Sequence, residues 1–366
     1  MRGHPEWSGL PRISIRKQGT PSEAVDTMKR SSGLVYGALA GILLLTVGCS
    51  LMQDQPIGER NRVAVVTDPA VWKSIAVPLE RTFEKELFTP QPEKLYYLEP
   101  SDFEKLAEIN RRPYIIIIAP LKSEEPTSTF LSKSLSPQAA DGVNRGEYYV
   151  FAKPNLWARN QLVLFVAAPD LESLVNTVNQ HAGDLFALID QHRNDVVRKE
   201  MYARLEQKDL ENRLHDKYGW RLRIQHDYVV ITDDPGHQLV QLRRTYPDRW
   251  LTIQWVEGPD IYRNLSAVAV LRDSLGKWFK DPVFNYPEYF KYQDREFLGR
   301  PGGMLAGLWA TEAAIGGGPF FTYVFYDSTL QRTFLLDGAV FNPRDEKEPH
   351  LRQLQIMAQT FVSGKK

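Results

Sequence analysis

The chain has 366 residues, 43% of them apolar, and so carries enough hydrophobic material for one large core or two ordinary ones. Lysine plus arginine equals aspartate plus glutamate at 45 each, which leaves no net field to draw in a polyanion and excludes nucleic acid as a partner. One cysteine, Cys49, excludes structural disulfides and cysteine-based zinc sites.

The first 27 residues are polar and turn-rich, and read as an N-terminal extension that contributes nothing to the fold. From Met28, the pair Lys29 and Arg30 precedes an apolar segment, Leu34 to Leu45, that closes on Thr46, Val47, Gly48 and Cys49. Basic, apolar, then small residues is the order of a secretory signal. A cysteine directly after glycine resembles the bacterial lipobox, with Thr46 standing where leucine is usual. The resemblance implies a signal peptide over 28–48, lipid attachment (diacylglycerol and palmitate) at Cys49, and, with Ser50 next, the outer membrane. The alternative is an uncleaved anchor, since Gly33 to Met52 offers twenty mostly apolar residues, enough for one span. Both readings place the body outside the cytoplasm as a membrane-attached envelope protein.

Residues 49–60 form a polar tether with Pro56 and Gly58. Then Arg62 to Thr67 reads as a buried strand, Asp68-Pro69 as a helix start, and Val71 to Leu87 as a helix with Trp72, Ile75, Leu79 and Phe83. Leu95 to Leu98 is a further strand, and Ser101 with Glu104 spells a capping box for a short helix through Ile109. Tyr114 to Ala119, apolar on both faces, belongs at the centre of a sheet. The Ser-, Thr- and Pro-bearing stretch Glu124 to Asn144 reads as a loop. Strands follow near Tyr148 to Ala152 and Gln161 to Ala167. Asp170 caps a helix, and a second helical pattern runs from Gly183 to about Lys217.

From Trp220 the pattern turns mostly to strands: Trp220 to Ile224, Tyr228 to Thr232, Leu239 to Arg244 and Leu251 to Val256, with Asp233 to His237 as hairpin-turn chemistry. Ile261 to Lys280 is helical, Phe320 to Tyr326 and Thr333 to Phe341 make an aromatic hairpin, and Pro349 opens a last helix to Phe361. The fold class is α+β, with mixed and antiparallel sheets and packed helices in two halves, 61–217 and 218–366. The C-terminal half is the richer in antiparallel strands.

Leu305 to Trp309, Gly316 to Asp327, Gly338 to Pro343 and His350 to Leu354 together resemble an uncharacterised bacterial lipoprotein family, domain of unknown function 4837. In the N-terminal half, Trp72 and the pattern of Asn155, Trp157, Ala158 and Gln161 extend the resemblance over most of the chain from Asn61. The family pattern often carries an arginine before Gly-Leu-Trp, where Ala306 stands here. The resemblance implies an envelope address and no assigned reaction.

Candidate chemistry is sparse. Ser274 and Lys277 spell S-x-x-K without the accompanying K-T-G of a penicillin-binding enzyme. His181 and His192 are eleven residues apart, ~16 Å along one helix, too far to share a metal. His226 and Asp227, and Asp233, Asp234 and His237, bracket one hairpin, where turn geometry accounts for them. The glycines of GRPGG (299–303) and GGGP (316–319) read as loops. Beside them Phe284 to Tyr292 packs five aromatics into nine residues. Such rings stack on sugars or grip a partner, or else roof a core.

The candidate surface is therefore Tyr286, Tyr289, Tyr292 and Trp309 with Gly317 and Gly318. The leading reading is a non-enzymatic module binding an envelope protein or glycan, without metal, cofactor or catalytic residue. The alternatives are a hydrolase using two of Glu288, Asp294, Glu296 and Glu312, which would stand about 5 to 9 Å apart in one cleft, and a spacer without a ligand.

Overall fold

In the computed structural model of the chain the described residues are 53–87, 89–259, 264–278, 283–285, 287–311 and 316–364. Cys49 and the segment before it, Tyr286 and Glu312 lie outside them. No helix among the described residues is long and apolar enough to cross a membrane. Two compact units emerge, one of residues up to Arg193 and one from Asn194 onward, the latter also claiming Glu86–Glu93. The fold is α+β.

The N-terminal unit holds a five-stranded sheet, β1 (Arg62–Val66), β2 (Tyr97–Ser101), β3 (Tyr114–Pro120), β4 (Val150–Pro154) and β5 (Leu162–Ala168), in the order β2-β1-β3-β5-β4. All neighbours are parallel except the edge strand β4. As its sequence required, β3 is central and buried along its whole length. Alternate residues point to opposite faces, so both faces of a continuous apolar strand need cover. On one face Ala64, Val66, Ile115, Ile117 and Phe165 pack under Leu131, Leu135 and Val143.

Leu131 and Val143 belong to two helices, α2 (Pro126–Ser134) and α3 (Pro137–Asn144), with Leu135 just after the first, where the sequence suggested a loop. Each has proline at its first turn, where the missing N–H costs nothing. Their caps explain the difference. Ser136 accepts from the Ala139 amide in α3, but the cap of α2 comes from far away, with the Asp68 carboxylate accepting from Thr127 N and Thr127 Oγ1. Conversely Ser101 lies in β2, and the following 3-10 turn has no side-chain cap, so the capping box is not made.

The first helix, α1 (Pro69–Phe83), stops short of Leu87, and its buried stripe is Val71, Ile75, Leu79 and Phe83. Asp170 does cap the next, accepting from Ser173 N at 2.9 Å. That helix, α4, runs unbroken from Leu171 to Met201, because burial of Leu174, Val178, Leu185 and Ile189 on either side outweighs the ~1 kcal/mol that one glycine, Gly183, costs a helix. The break falls instead around Leu205, at φ 56°, before α5 (Lys208–Tyr218), which ends on Gly219 at φ 78°. Phe83 of α1 meets Phe186 of α4 edge-on at 5.5 Å, and Tyr96 Oη donates to Asp190 at 2.9 Å.

The motif of Asn155, Trp157, Ala158 and Gln161 proves to be a loop clamp. Gln161 is fully buried; its Oε1 accepts from Trp157 N and Ala158 N, and its Nε2 donates to the carbonyls of Asn110 and Arg112. Asn155 Oδ1 accepts from Asn160 N, holding the same turn. One amide side chain thus satisfies four backbone groups from two loops. Gln161→Ala is expected to cost about 2 to 4 kcal/mol, since buried donors and acceptors are then left unpaired. Urea denaturation of the purified variant measures it, and a loss below ~1 kcal/mol would return the motif to other duties.

The C-terminal unit is built on an eight-stranded antiparallel sheet: β6 (Val229–Asp234), β7 (Leu239–Arg244), β8 (Asp248–Glu257), β9 (Val283–Asn285), β10 (Lys291–Asp294), β11 (Gly302–Thr311), β12 (Gly317–Asp327) and β13 (Arg332–Phe341). The order is β9-β11-β12-β13-β8-β7-β6, with β10 also on β11. The expected aromatic hairpin is β12 with β13, pairing Phe320 with Ala339 through Asp327 with Arg332. Of the expected strand Trp220 to Ile224, only Trp220–Arg221 is extended, paired with Val362–Ser363.

On one face Phe334 packs against Phe325 and Phe361, and Trp255 against Trp220, beside the buried Leu351 and Leu354 of α7 (Glu348–Ala358). On the other, Trp250, Leu305, Trp309, Phe320, Val324, Leu335 and Ala339 pack with Val268 of α6 (Leu265–Ser274). Helix α7 also takes its cap from afar: Glu93 Oε2 accepts from Lys347 N and Glu348 N, and its other oxygen pairs with Lys347 Nζ at 3.0 Å. This ties the Glu86–Glu93 segment to the C-terminal unit.

Candidate functional site

Strand register on the α6-covered face sets four polar side chains in one row across four strands. Gln241 stands opposite Thr252, Thr252 opposite Asp337, and Asp337 opposite Thr322. All four are essentially buried. Gln241 Nε2 donates to Thr252 Oγ1 at 3.1 Å, and Thr322 Oγ1 donates to Asp337 Oδ2 at 2.6 Å. From α6, which Asn264 caps through Ala267 N, the wholly buried Arg272 reaches the row. Its Nε donates to Asp337 Oδ2 at 3.1 Å, its Nη1 to Asn285, and its guanidinium lies 3.9 Å over the Phe320 ring. Arg272 Nη2 and Gln241 Oε1 are enclosed without a hydrogen-bond partner among the described residues.

The residues singled out in the sequence surround this row and divide sharply. Trp309 is core, 5% exposed and edge-on to Trp250 at 5.9 Å. Tyr292 sits opposite Leu305, half-buried, and burial followed by the nearby Asp294 carboxylate pushes its phenol pKa up. Tyr289, in the 3-10 turn Pro287–Tyr289, is exposed, while its neighbour Phe290 meets Phe320 edge-on at 5.9 Å.

The glycines are strand positions, not loops that bare their amides. Gly317 and Gly318 pair with Ala310 and Trp309, and a Cβ at Gly318 would stand 2.0 Å from the Val340 carbonyl oxygen. Gly303 likewise makes room for Tyr292, whose Oη would lie 2.1 Å from an added Cβ. Among residues 299–303 only Gly299, at φ 74°, serves a turn. Close approach, not anion binding, accounts for glycine at 302–303 and 317–318.

The other motifs resolve simply. Ser274 Oγ donates to the Leu271 carbonyl at the end of α6. Asp234 accepts from the amide and ring of His237, which is turn chemistry. His181 pairs with Asp184 and stacks on Tyr149 at 4.2 Å, whereas His192 lies edge-on to Tyr114. No group of three potential metal ligands occurs among the described residues. Glu288, Asp294 and Glu296 are all exposed. The sequence reading missed Arg272, Thr322 and Asp337; its available signal was a single charge or hydroxyl inside a long apolar run, as in LLDGAVF and FFTYVF.

Residues 207–360 match the family model of a domain of unknown function, DUF4837. This region is a DUF4837 domain. Its match begins well after the N-terminal unit, which falls instead under a second family model of unknown function, DUF8532, over residues 56–202. The Asn155 to Gln161 motif therefore lies in the DUF8532 match, outside the DUF4837 one. No curated protein matches the chain. Two solved structures are similar at a TM-score of 0.28 and 11% identity over 40% of this chain: a mutant of the protein Mog1, covered to 92%, and the Saccharomyces cerevisiae Ran-binding protein Mog1p, covered to 90%. At that TM-score the likeness carries no functional argument.

Inside the DUF4837 domain, two substitutions separate core from surface. Trp309→Ala is expected to cost about 3 to 5 kcal/mol and Tyr289→Ala under ~1 kcal/mol, read by thermal unfolding. Asp337→Asn, which leaves the Arg272 cation buried without its carboxylate, is expected to cost about 3 to 5 kcal/mol. Replacing both charges by apolar residues (Arg272→Met with Asp337→Leu) should recover much of that loss; recovery of nothing would mean the pair is not the source of the cost.

Proposed function

We propose that the protein is a lipid-anchored, non-enzymatic binding module of the cell envelope. It is held to the outer membrane through acylated Cys49, and its DUF4837 domain grips a protein or glycan at the aromatic edge formed by Tyr289 and Tyr292. The observation that carries this reading is the gradation of exposure along β10 and the turn before it. Tyr289 reaches solvent, Tyr292 is half-buried, and Phe290 is anchored on Phe320 of the core. Rings held rigidly from behind, with a reachable face and a polar tip, stack on a sugar or fill a partner's pocket at little entropic cost. Val270, on the neighbouring α6, adds an exposed apolar side chain.

Hydrolysis by paired carboxylates has less support. Glu288, Asp294 and Glu296 stand in water, away from the desolvation that a carboxylic general acid depends on.

The test is capture from membranes by the cross-linked full-length protein, with Tyr289→Ala and Tyr292→Ala beside it. A partner or glycan fragment recovered with the wild type, and lost with Tyr289→Ala at unchanged melting temperature, is the expected result. Equal recovery with all three proteins would place the contact elsewhere, and no recovery at all would favour the spacer. Intact mass of the membrane-extracted protein checks the anchor: a chain beginning at acylated Cys49 is expected, and an unmodified thiol would refute it.

A further inference from the structure

We propose that Arg244 and Arg249 form an oxyanion-binding clamp on the α7-covered face of the C-terminal sheet, selective for a carboxylate or phosphate group. The site is independent of the aromatic edge, which lies across the sheet on the other face.

The two arginines are directly opposed on β7 and β8. Side chains so placed stand side by side, and like charges there repel. Arg249 is 2% exposed, yet both its hydrogen-bond partners are uncharged: its Nε donates to Tyr228 Oη at 3.2 Å and its Nη1 to His350 Nδ1 at 2.8 Å. A guanidinium cannot accept, so Nδ1 is the bare nitrogen and the imidazole is neutral. No carboxylate among the described residues pairs with Arg249. The single carboxylate paired in the clamp, Asp227, is taken by Arg244.

Two cations and one anion therefore share a poorly solvated corner, and buried charges are ordinarily paired. The imbalance reaches His350, whose pKa falls to about 4 through burial and the fields of Arg249 and Arg244. Of the two carboxylates facing it, Glu348 is committed to Arg352 at 2.7 Å and Asp345 is exposed. A ligand with two oxygens in one plane would supply the missing negative charge and match the fork of a guanidinium. Arg244 is about one-quarter exposed, and the turn beside it carries Tyr246 at 96% exposure, so the clamp opens to solvent at this end of the sheet.

The experiment titrates the full chain at pH 7 with inorganic phosphate and, separately, with succinate, ionic strength being held constant with sodium chloride. Melting temperature and calorimetry are read for wild type, Arg244→Gln and Arg244→Lys. The expected result is a saturable rise in melting temperature with at least one of the two anions, and an apparent Kd raised about tenfold or more in Arg244→Gln, the loss of a charge-assisted hydrogen bond. Arg244→Lys, which keeps the charge and loses the fork, should fall between them. In wild type the bound anion should raise the His350 pKa, read from its imidazole NMR signals. A response to phosphate alone, succinate alone or both names the ligand chemistry. No response to either beyond that of chloride overturns the proposal, as does a response that survives unchanged in Arg244→Gln.

Discussion

The C-terminal sheet is covered on both faces, by α6 on one and α7 on the other. Away from the strand ends, the side chains of its central strands are therefore withdrawn from water, and any polar group there must be satisfied by its neighbours in register. The row from Gln241 to Thr322 is one consequence, and Arg272 over Asp337 is the second. A buried ion pair of this kind adds little net stability compared with apolar residues of the same volume. Its effect is to penalise any other register, since a one-residue slip would turn Asp337 to the opposite face and strand Arg272.

The same double burial explains the glycines. Strands β11, β12 and β13 carry large rings, and rings of that size leave no room for a Cβ at every facing position. Gly338 lies under Phe321, Gly307 under Phe320, and Gly303 under Tyr292. Aromatic bulk and glycine are two halves of one packing solution. The aromatic-rich segment 284–292 belongs partly to this core and partly to the surface, because among its described side chains Phe290, just before the short edge strand β10, and Tyr292 within it reach inward while Tyr289 stays exposed.

Long-range capping holds the helices in both units. Asp68 caps α2 across 59 residues, and Glu93 caps α7 across about 255. In each case a carboxylate meets the amides of a helix first turn, where the peptide dipoles favour negative charge. These contacts fix the helix starts that local sequence leaves uncapped.

Periodicity alone determined much of this protein. The apolar run of β3, the alternation of β7 and β8, the β12–β13 hairpin and the Asp170 cap rest on patterns within a few residues and were legible in advance, as was the proline that opens α7, although the cap of α7 comes from Glu93. The helices α2 and α3 were not, because their prolines mimic loop composition and the cap of α2 comes from Asp68. Nor was the unbroken run of α4 through Gly183, since tertiary burial of the turns on both sides, and not local propensity, outweighs the glycine. The pairing of Arg272 with Asp337, of Arg249 with His350, and the split between buried Trp309 and exposed Tyr289 were not legible either. Those depend on which strands lie side by side and which face each residue turns inward, and strand order is decided by the burial of whole faces rather than by any local stretch of chain.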